Sequence, residues 1–402
     1  MKTKYLVIGV NAAGFFALEA LRKHDPYGSI TAVNGEEYLP YKRTKVNKHF
    51  SSGKLDIDKF KLADTLWYEE NKIVLLNNTN VLSIDISNKT VSLDNGKKIE
   101  WDKLLLSTGA ESYCPNSEVF KKAFSIRTYK DALEVDKRIK SSNSCLVYGL
   151  GIEGIETAAE LYDSGLNVTL AGRGSGLLKR YFSSWILSDI EDKFKQNNIS
   201  ILYKTTLEDV LTLLSEESDT PSECTSPVSS KRESASNDFL LYSLGIEPRK
   251  VLADSCGIIT DRGILVNSHM ETSIPGIYAA GDCTQTEEQG TITDHWHSAQ
   301  DQGRTAAANM AGLSSIWPVL KYRIKLEIFG DFYFSMRPFI EDLPDNLTSE
   351  ESYLPSGAYR LFYYGNNILM GLEMAGDKPR AKLYEQAVNE GWGKPKVLEL
   401  LS

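Results

Sequence analysis

The amino-acid sequence predicts an α/β fold, because two short apolar runs each lead into a glycine-rich turn and then into a helical stretch. The first runs from Tyr5 to Gly14 and the second from Leu146 to Gly154. Such a turn aims free backbone N–H groups and the positive end of a helix at a pyrophosphate. An Ala-Gly-Asp segment that ends at Asp282 lies downstream of both. Together these segments predict two Rossmann-like (three-layer ββα) dinucleotide-binding domains plus a small α+β C-terminal domain.

The segments around the first glycine turn predict a βαβ unit. Apolar residues predict strands over 4–9 and 29–33, and the segment between them predicts a helix over 12–23. An acidic residue after the second strand of such a unit hydrogen-bonds a ribose of the dinucleotide. Glu36 or Glu37 stands at that place.

The next segments change from a helical to an alternating pattern. Apolar residues alternate over 81–86 and 89–94, a turn follows at Asn95-Gly96, and an apolar run extends from Trp101 to Ser107. This spacing predicts a small antiparallel sheet with a hairpin.

A second βαβ unit begins near residue 145. It comprises a predicted strand over 145–149, a helix over 153–164 and a strand over 167–170. The stretch 213–238 has no aromatic residue and little to bury, so we expect a flexible inserted loop there. A strand resumes at 239–243.

The last part of the chain has a different composition. An alanine-rich helix is predicted over 298–311, and from about residue 316 the sequence becomes β-rich and aromatic. A final helix is predicted over 377–391. This pattern predicts a separate C-terminal domain.

These elements suggest a discontinuous domain organisation. We expect residues 1–112 and 245–315 to form the first dinucleotide-binding domain. Residues 113–244 form the second, with the inserted loop 213–238 inside it. Residues 316–402 form a C-terminal domain of the kind that makes interfaces.

Bulk composition limits what the protein can do. The 402 residues carry a net charge of −9, which gives no support for nucleic-acid binding. No apolar run approaches the roughly 20 residues that span a bilayer, and the N-terminus enters a strand at once, so we expect a cytoplasmic protein without a membrane span. The cysteines have the spacing of neither a disulfide framework nor a zinc site; they are Cys114, Cys145, Cys224, Cys256 and Cys283.

The order of the motifs is more specific than any one of them. After the first glycine turn come Leu39-Pro-Tyr-Lys-Arg43-Thr-Lys-Val-Asn-Lys48 and Leu106-Ser-Thr108-Gly109, and after the second come Tyr242-Ser-Leu-Gly245-Ile-Glu-Pro248, Tyr278-Ala-Ala-Gly281-Asp282 and His295-Trp296. This order resembles that of the FAD-dependent pyridine-nucleotide oxidoreductases over about residues 1–312. The Pro-Tyr-x-Arg-x-x-x-x-Lys segment is similar to that of rubredoxin and ferredoxin reductases, the flavin portion of nitrite reductases, and apoptosis-inducing factor.

The resemblance implies two sets of cofactor contacts. The positions that match FAD contacts in the family are Gly9, Asn11, Ala12, Ala13, Gly14, Glu36, Glu37, Arg43, Lys48, Val81, Ser107, Thr108, Gly109, Arg127, Gly281, Asp282 and Trp296. The positions that match contacts of NADH or NADPH are Gly149, Gly151, Gly154 and Arg173.

The resemblance also implies a catalytic pair. In the family, the lysine of the Pro-Tyr segment lies beside the flavin and pairs with a glutamate in the helix after the second glycine turn. Those positions here are Lys48 and Glu156. A cation near the N5 side stabilises negative charge on reduced flavin.

Two positions depart from the family pattern. Asn11 replaces the usual second glycine of the first turn, and we expect it to serve because asparagine tolerates left-handed φ better than most residues. Glu153 lies inside the second turn, where its carboxylate would repel a pyrophosphate unless it turns away.

The residues after the second strand bear on the choice of nucleotide. No acid follows Leu170-Ala-Gly172, so a 2′-hydroxyl has no partner there. Arg173, Lys179 and Arg180 would instead accept a 2′-phosphate, which favours NADPH.

Thiol and metal chemistry are not expected. The thiol branches of the superfamily need a cysteine just after the first βαβ unit, and residues 34–60 contain none. Cys283 is interpreted as a buried thiol. His295 and His297 provide two ligands without a third, so no metal site is predicted.

The preferred interpretation is an FAD-dependent NAD(P)H oxidoreductase that passes electrons to a small redox protein such as rubredoxin or ferredoxin, with a homodimer left open. Two alternatives are kept. One is an electron-transfer subunit with a degenerate nicotinamide site, which Glu153, the missing ribose acid and the inserted loop favour. The other is a flavin-bound sensor or scaffold, which the resemblance to apoptosis-inducing factor allows.

Overall fold

The structure is a computed structural model of the chain. It describes residues 1–50, 55–214, 237–288, 290, 292–293, 295–318, 323–337 and 346–401. Within this part of the chain the strands are β1 (Lys2–Ile8), β2 (Ile30–Val33), β3 (Ile73–Leu76), β4 (Val81–Asp85), β5 (Thr90–Leu93), β6 (Lys98–Leu106), β7 (Ala110–Ser112), β8 (Ser144–Tyr148), β9 (Asn167–Ala171), β10 (Ser200–Leu202), β11 (Leu240–Tyr242), β12 (Ile246–Pro248), β13 (Ile264–Val266), β14 (Ile277–Ala279), β15 (Thr284–Thr286), β16 (Ile324–Ile328), β17 (Asp331–Ser335), β18 (Thr348–Tyr353), β19 (Tyr359–Gly365) and β20 (Ile368–Ala375).

The α-helices are α1 (Ala12–His24), α2 (Thr65–Glu70), α3 (Glu118–Lys121), α4 (Tyr129–Ile139), α5 (Ile152–Asp163), α6 (Ser184–Gln196), α7 (Leu207–Leu214), α8 (Val251–Ser255), α9 (Trp296–Met310), α10 (Ala381–Asn389) and α11 (Lys394–Leu401). Both predicted βαβ units are present, with bounds within a residue or two of those expected. Helix α7 extends to residue 214, so the predicted loop starts two residues too early. Residues 215–236 of that loop lie outside the described residues.

The first sheet has the strand order β3-β2-β1-β6, all parallel, and β6 continues the sheet in two directions. Its first residues pair antiparallel with β5, and β5 pairs with β4. Its last residues, Leu104–Leu106, pair parallel with β14. The expected antiparallel strands and their hairpin are therefore present, and they continue the parallel sheet, since a strand of nine residues is long enough to pair with a hairpin at one end and a distant strand at the other.

Helices α1 and α9 lie close together against this sheet. A Cβ atom on Gly303 would lie 2.1 Å from the carbonyl oxygen of Ala13, so only glycine allows this approach. Helix α1 ends with three basic residues, which complement the negative end of the helix. The contact places the start of both helices at the carboxyl edge of the sheet.

The second sheet contains the parallel strands β10-β9-β8-β11. Helix α4, on the same domain, starts with a capping box between Thr128 and Asp131. The chain passes between the two sheets through an antiparallel ribbon, in which β7 pairs with β12. All strands of the second sheet thus lie between β7 and β12 in the sequence.

The C-terminal domain is a five-stranded antiparallel sheet with the order β16-β17-β20-β19-β18. One face packs on α10 and α11 around the buried Tyr384 and Trp392. The other face joins the core of the second domain, and Leu326, Phe194 and Ile155 belong to the same buried cluster. Burial of one such side chain stabilises the fold by about 1.5–3 kcal/mol. Helix α11 was not predicted from the sequence.

Candidate active site

The first glycine turn is built by close backbone packing. Gly9 has φ +88, and a Cβ atom there would lie 2.3 Å from the carbonyl oxygen of Ser107. A Cβ atom on Gly14 would lie 2.1 Å from the Gly9 oxygen. The Ser107 hydroxyl, which is buried, donates to the Gly9 oxygen at 2.6 Å. Ser107 therefore supports the turn, with its hydroxyl directed at the backbone.

The backbone conformation of Asn11 differs from the one that the sequence predicted. Its backbone is extended, with φ −106 and ψ −151, so the expectation of left-handed φ is wrong. The residue precedes helix α1, and its Nδ2 donates to the Ser107 oxygen at 3.2 Å. The side chain thereby ties the turn to the end of β6 and leaves the first helical N–H groups facing outward.

Two adjoining cavities lie along this edge of the first sheet. The larger, of about 600 Å³, is lined by Asn11, Ala12, Arg43, Thr44, Thr108, Gly109, Ala110, Arg127, Arg249, Asp282, Trp296 and Ala299. The smaller, of about 180 Å³, is lined by Val10, Asn11, Asn34, Glu36, Tyr38, Pro40, Tyr41 and Arg43. Since Asn11 and Arg43 line both, the two cavities form one elongated site across the glycine turn.

A network of charged side chains forms one wall of the site. Arg43 pairs with Glu36 and donates to the carbonyl oxygen of Arg127 at 2.8 Å. Tyr41 donates to the other Glu36 oxygen at 2.7 Å and accepts from the backbone N–H of Tyr129. Of the two candidate ribose acids, Glu36 thus lines the small cavity, whereas Glu37 is exposed outside it.

Asp282 also lines the large cavity, directly after Gly281 in the sequence. Asp282 pairs with Arg127, and both side chains are mostly buried. Gly281 has φ +87, and its N–H donates to Gln302 at 2.7 Å. The Ala-Gly-Asp segment is thus held by Gln302 of helix α9 and by Arg127, which precedes α4. Trp296, the first residue of α9, also lines the large cavity.

Lys48 and Glu156 meet across the two domains. The Lys48 Nζ lies 2.9 Å from Glu156 Oε1, and the side chains are 28% and 11% exposed. The same oxygen accepts from the backbone N–H of Glu327 in β16 at 3.3 Å. Burial raises the pKa of the Glu156 carboxyl above its usual value, while Lys48 acts in the opposite direction. All three domains therefore contribute to this pair.

The second glycine turn repeats the packing of the first. Gly149 has φ +146, and a Cβ atom there would lie 2.0 Å from the Ser243 oxygen. A Cβ atom on Gly154 would lie 2.1 Å from the Gly149 oxygen, whereas one on Gly151 would meet nothing within 4 Å. Glu153 accepts from the Ser243 hydroxyl at 3.2 Å. Its carboxylate is thus drawn toward the end of β11.

The loop after β9 carries the basic residues that bear on nucleotide choice. Arg173 and Arg180 are exposed, and Lys179 Nζ donates to the Ser175 oxygen at 3.3 Å. The loop stands at the carboxyl edge of the second sheet. Its residues from 172 to 182 include no carboxylate.

The residues that line the two cavities differ in part from the cofactor-binding residues predicted from the sequence. Val81 begins β4 and lines neither cavity. Thr44 and Arg249 line the large cavity but were not expected. The Arg249 Nε donates to Glu111 Oε1 at 3.0 Å, and the Arg249 backbone oxygen accepts from the Thr108 hydroxyl at 2.7 Å. The sequence could have identified Arg249 by its position directly after the Gly-Ile-Glu-Pro segment.

The described cysteines take no part in the site. Cys145 and Cys283 are buried, and burial raises the pKa of both thiols. Neither cavity has a cysteine in its lining. Within the described ranges, no cluster of three or more His, Cys, Asp or Glu residues is placed to hold a metal ion.

The residues present fit a dinucleotide in the first domain. The elongated site crosses a glycine turn at a helix start, has an acid at one end and offers the guanidinium groups of Arg43 and Arg127 between. The carboxylate accepts hydrogen bonds from ribose hydroxyls, and the backbone N–H and guanidinium groups are the donors that a pyrophosphate needs. A second glycine turn of the same form leads into α5, whose Glu156 pairs with Lys48 of the first domain. The fold and the site thus define an oxidoreductase class that holds two dinucleotides.

Comparison with known proteins agrees with this class. The chain belongs to the pyridine nucleotide-disulphide oxidoreductase family, whose model matches residues 3–303. It is 30% identical over 356 residues to the NADH-rubredoxin oxidoreductase of Clostridium acetobutylicum, covering 88% of this chain and 87% of that protein. It is 29% identical over 328 residues to the ferredoxin–NAD(+) reductase component of a 3-phenylpropionate/cinnamic acid dioxygenase from Photorhabdus laumondii, covering 78% and 79%.

Solved structures extend the likeness to nearly the whole chain. The crystal structure of the Clostridium acetobutylicum NADH:rubredoxin oxidoreductase is 27% identical and superposes with a TM-score of 0.75, covering 98% of this chain and 96% of that one. A ferredoxin reductase from Rhodopseudomonas palustris shares the fold at 22% identity, with a TM-score of 0.80 over 98% and 96%. The predicted fold class and family are confirmed. Among the described residues, no helix has the length and apolar character that a membrane crossing requires.

Proposed function

We propose that this protein is an FAD-dependent NAD(P)H oxidoreductase that delivers electrons to a small redox protein of the rubredoxin or ferredoxin type. The observation that carries the proposal is the Lys48–Glu156 pair, which joins the two glycine-turn domains. The named functions of the relatives point to the same reaction type.

The chain's own residues would hold the cofactors in a fixed arrangement. Glu36 would bind the ribose, the amides at the start of α1 the pyrophosphate, and Asp282 the polyol chain of FAD. When bound, FAD takes up a hydride and releases single electrons, so it links a two-electron donor to a one-electron acceptor. Lys48 would place a cation beside the cavity, where it stabilises negative charge.

The second domain would bind the nicotinamide donor. Gly149, Gly151 and Gly154 form its turn, and Gly151 leaves open space for a close approach. The relatives are named for NADH, whereas Arg173 and the missing carboxylate in this chain favour a 2′-phosphate. Both nucleotides therefore enter the test.

We also propose the domain division expected from the sequence. Residues 1–112 and 245–315 would form the FAD domain, and residues 113–244 the NAD(P)H domain. The ribbon of β7 and β12 supports boundaries near 112 and 245. Residues 316–402 would form the C-terminal domain.

The test is an anaerobic titration of the FAD-loaded protein with NADH and, separately, NADPH, followed by flavin absorbance. Rapid bleaching by either donor is expected. If Arg173 reads a 2′-phosphate, Arg173→Glu should lower the kcat/KM ratio of NADPH to NADH, with Arg138→Glu as a control in the same domain. A purified protein that cannot retain flavin would refute the proposal.

A second candidate is an electron-transfer subunit that no longer uses a nicotinamide. Glu153 favours it, because its carboxylate lies in the second turn. Full bleaching by dithionite with none by NADH or NADPH would select this candidate. Glu153→Ile would then restore no activity if other contacts are also lost, and would restore it if the carboxylate alone is responsible.

A further inference from the structure

The loop between β9 and α6 carries the basic residues that bear on nucleotide choice. We call residues 172–182 the nucleotide loop. It begins against the second glycine turn, since a Cβ atom on Gly172 would lie 2.7 Å from the Leu150 side chain. Its first five residues include three glycines, which restrain the backbone little. The orientation of the nucleotide loop therefore depends on contacts farther along it.

The C-terminal domain holds the last residues of the nucleotide loop. The Ser335 hydroxyl of β17 donates to the carbonyl oxygen of Tyr181 at 2.6 Å. The backbone N–H of Ser183, the residue after the loop, donates to Glu373 Oε2 of β20 at 2.5 Å. Phe182 between them is 1% exposed and lies in a core cluster with residues of the same sheet. Two hydrogen bonds and one buried ring thus anchor three consecutive residues.

Glu373 is itself fixed in the core. Its side chain is fully buried, and its Oε1 accepts from the Tyr363 hydroxyl and lies 3.6 Å from Arg337 Nη1. Burial raises the pKa of the Glu373 carboxyl above its usual value, while Tyr363 and Ser183 act in the opposite direction. Because a buried carboxyl group is costly unless its oxygens have such partners, Glu373 is a rigid anchor for Ser183.

Strand β17 continues these contacts along α6. Alternate residues of the strand face the helix, and they follow it in the opposite chain direction. Their interactions are Asp331 with Lys193 at 2.7 Å, Tyr333 with Asp189 at 2.6 Å, and Ser335 with Tyr181. The first two hold the helix, whereas the third holds the nucleotide loop. Support of the helix and support of the loop can therefore be removed separately.

An interaction inside the nucleotide loop connects its anchored end to its first residues. Lys179 Nζ donates to the carbonyl oxygen of Ser175 at 3.3 Å and lies 3.4 Å from its hydroxyl. Arg173 stands two residues before Ser175, and Arg180 directly precedes the anchored Tyr181. Both arginines and Lys179 are exposed. A displacement of the anchored end would therefore move all three cations.

We propose that Ser335 and Glu373 are positioning residues for the nicotinamide nucleotide: from the C-terminal domain they hold the nucleotide loop so that its cations meet a 2′-phosphate. This inference rests on the proposed function and adds the domain that orients the loop. Guanidinium groups recognise phosphate through a fixed fork of N–H groups, so their placement decides the strength of the contact. Supporting hydrogen bonds of this kind keep binding side chains in place.

The experiment compares the binding of NADP⁺ and NAD⁺, which differ only in the 2′-phosphate, to the oxidised, FAD-loaded protein by calorimetry. The wild type should bind NADP⁺ more tightly. Ser335→Ala and Glu373→Met should each lower the ratio of the two association constants by about fivefold or more, the effect of one lost hydrogen bond. Ser335→Ala changes the buried volume little, so it provides the result if Glu373→Met does not fold.

Tyr333→Phe is the matched control. It removes a hydrogen bond of the same length from the same strand, but from the helix instead of the nucleotide loop. Its ratio of NADP⁺ to NAD⁺ binding should equal that of the wild type. A loss as large as that in Ser335→Ala would mean that any loosening of this domain contact weakens binding, and would overturn the proposal.

Trypsin provides a second measurement, because it cleaves after the exposed Lys179 and Arg180. Loss of an anchor favours local opening, so cleavage at these two sites should be faster in Ser335→Ala than in Tyr333→Phe. Mass spectrometry of the fragments identifies the sites. Equal cleavage of the nucleotide loop in the two variants would contradict its anchoring by Ser335.

A protein with Arg173, Lys179 and Arg180 all replaced by alanine tests whether the anchors act through these cations. In that background Ser335→Ala should have no further effect on the ratio of NADP⁺ to NAD⁺ binding. A persisting effect, an unchanged ratio in both anchor variants, or a wild type that prefers NAD⁺ would overturn the proposal. Flavin bleaching by NADH or NADPH would still leave the reductase function intact, whereas failure of both nucleotides to bind and to bleach would contradict the proposed function itself.

Discussion

At the scale of single residues, the largest effects of substitution are expected at the Lys48–Glu156 pair. Glu156 is nearly buried and shares one oxygen between Lys48 and the backbone N–H of Glu327. Removal of one partner from such a pair leaves a desolvated charge without compensation, which costs more than the pair itself contributes. The two members should therefore respond differently to substitution.

Lys48→Ala should slow flavin reduction by roughly 10- to 100-fold, because it would remove the cation that the proposed function places beside the flavin. FAD should remain bound, since the glycine turn, Glu36 and Asp282 are unchanged. Stopped-flow bleaching and the ratio of flavin to protein absorbance measure the two effects. Lys48→Arg, which keeps the charge, is the control, and unchanged kinetics in Lys48→Ala would exclude Lys48 from the mechanism.

The raised pKa of Glu156 predicts a pH dependence of stability. Its folded-state pKa lies above its unfolded value, so the stabilisation is complete below the unfolded pKa, near 4.5, and is lost as pH rises through the folded value. The free energy of unfolding of the wild type should thus fall relative to that of Glu156→Gln as pH rises. Urea unfolding at several pH values between 4 and 8 measures this difference. Parallel pH profiles for the two proteins would contradict it.

At the scale of elements, the contact between α1 and α9 controls the shape of the FAD site. Glycine is normally unfavourable within a helix, so Gly303→Ala should stabilise α9 by about 1 kcal/mol if packing did not matter. Because the new Cβ would lie 2.1 Å from the Ala13 oxygen, we expect destabilisation by about 1–3 kcal/mol and weaker FAD retention. Thermal unfolding of the holoprotein measures it.

Gly151→Ala is the control for this prediction. Gly151 precedes helix α5 with open space around its Cα, so its replacement should leave the melting temperature almost unchanged. A stabilised Gly303→Ala protein would show that the two helices separate easily.

The sequence predicted local elements well and pairings between distant elements less well. The two βαβ units follow from apolar runs and glycine turns, which are local signals. The pairing of β6 with β5 was predicted as a hairpin, whereas its pairing with β14 was missed, because residue 277 is distant in sequence from residue 104. Asn11 lies in the first glycine turn, but its backbone is extended and not left-handed as predicted. Lys48 and Glu156 were matched through family resemblance, since no local pattern links residues 108 positions apart.

At the scale of the molecule, bound FAD should stabilise the folded protein. It would lie between β1, β6, α1 and α9, which are contributed by both ends of the first domain. Ligand that binds only the folded state stabilises it by about 4 kcal/mol at a thousandfold excess over Kd. We expect FAD removal to lower the melting temperature and added FAD to restore it.

FMN provides the control for that measurement. It lacks the adenosine half that the small cavity beside Glu36 would bind, so it should restore less stability than FAD at equal concentration. Equal restoration by FMN would mean that the small cavity contributes no binding.

The split of the first domain also has a consequence for synthesis on the ribosome. Strand β1 and its glycine turn emerge well before the helix that packs on them, since α9 begins at Trp296. At 5–20 residues per second, the turn waits about 15–60 s for that helix. The second domain, whose strands all lie between β7 and β12, can fold during this interval. The first glycine turn would thus reach its native contacts after the second domain has folded, and the flavin would be acquired only once α9 has emerged.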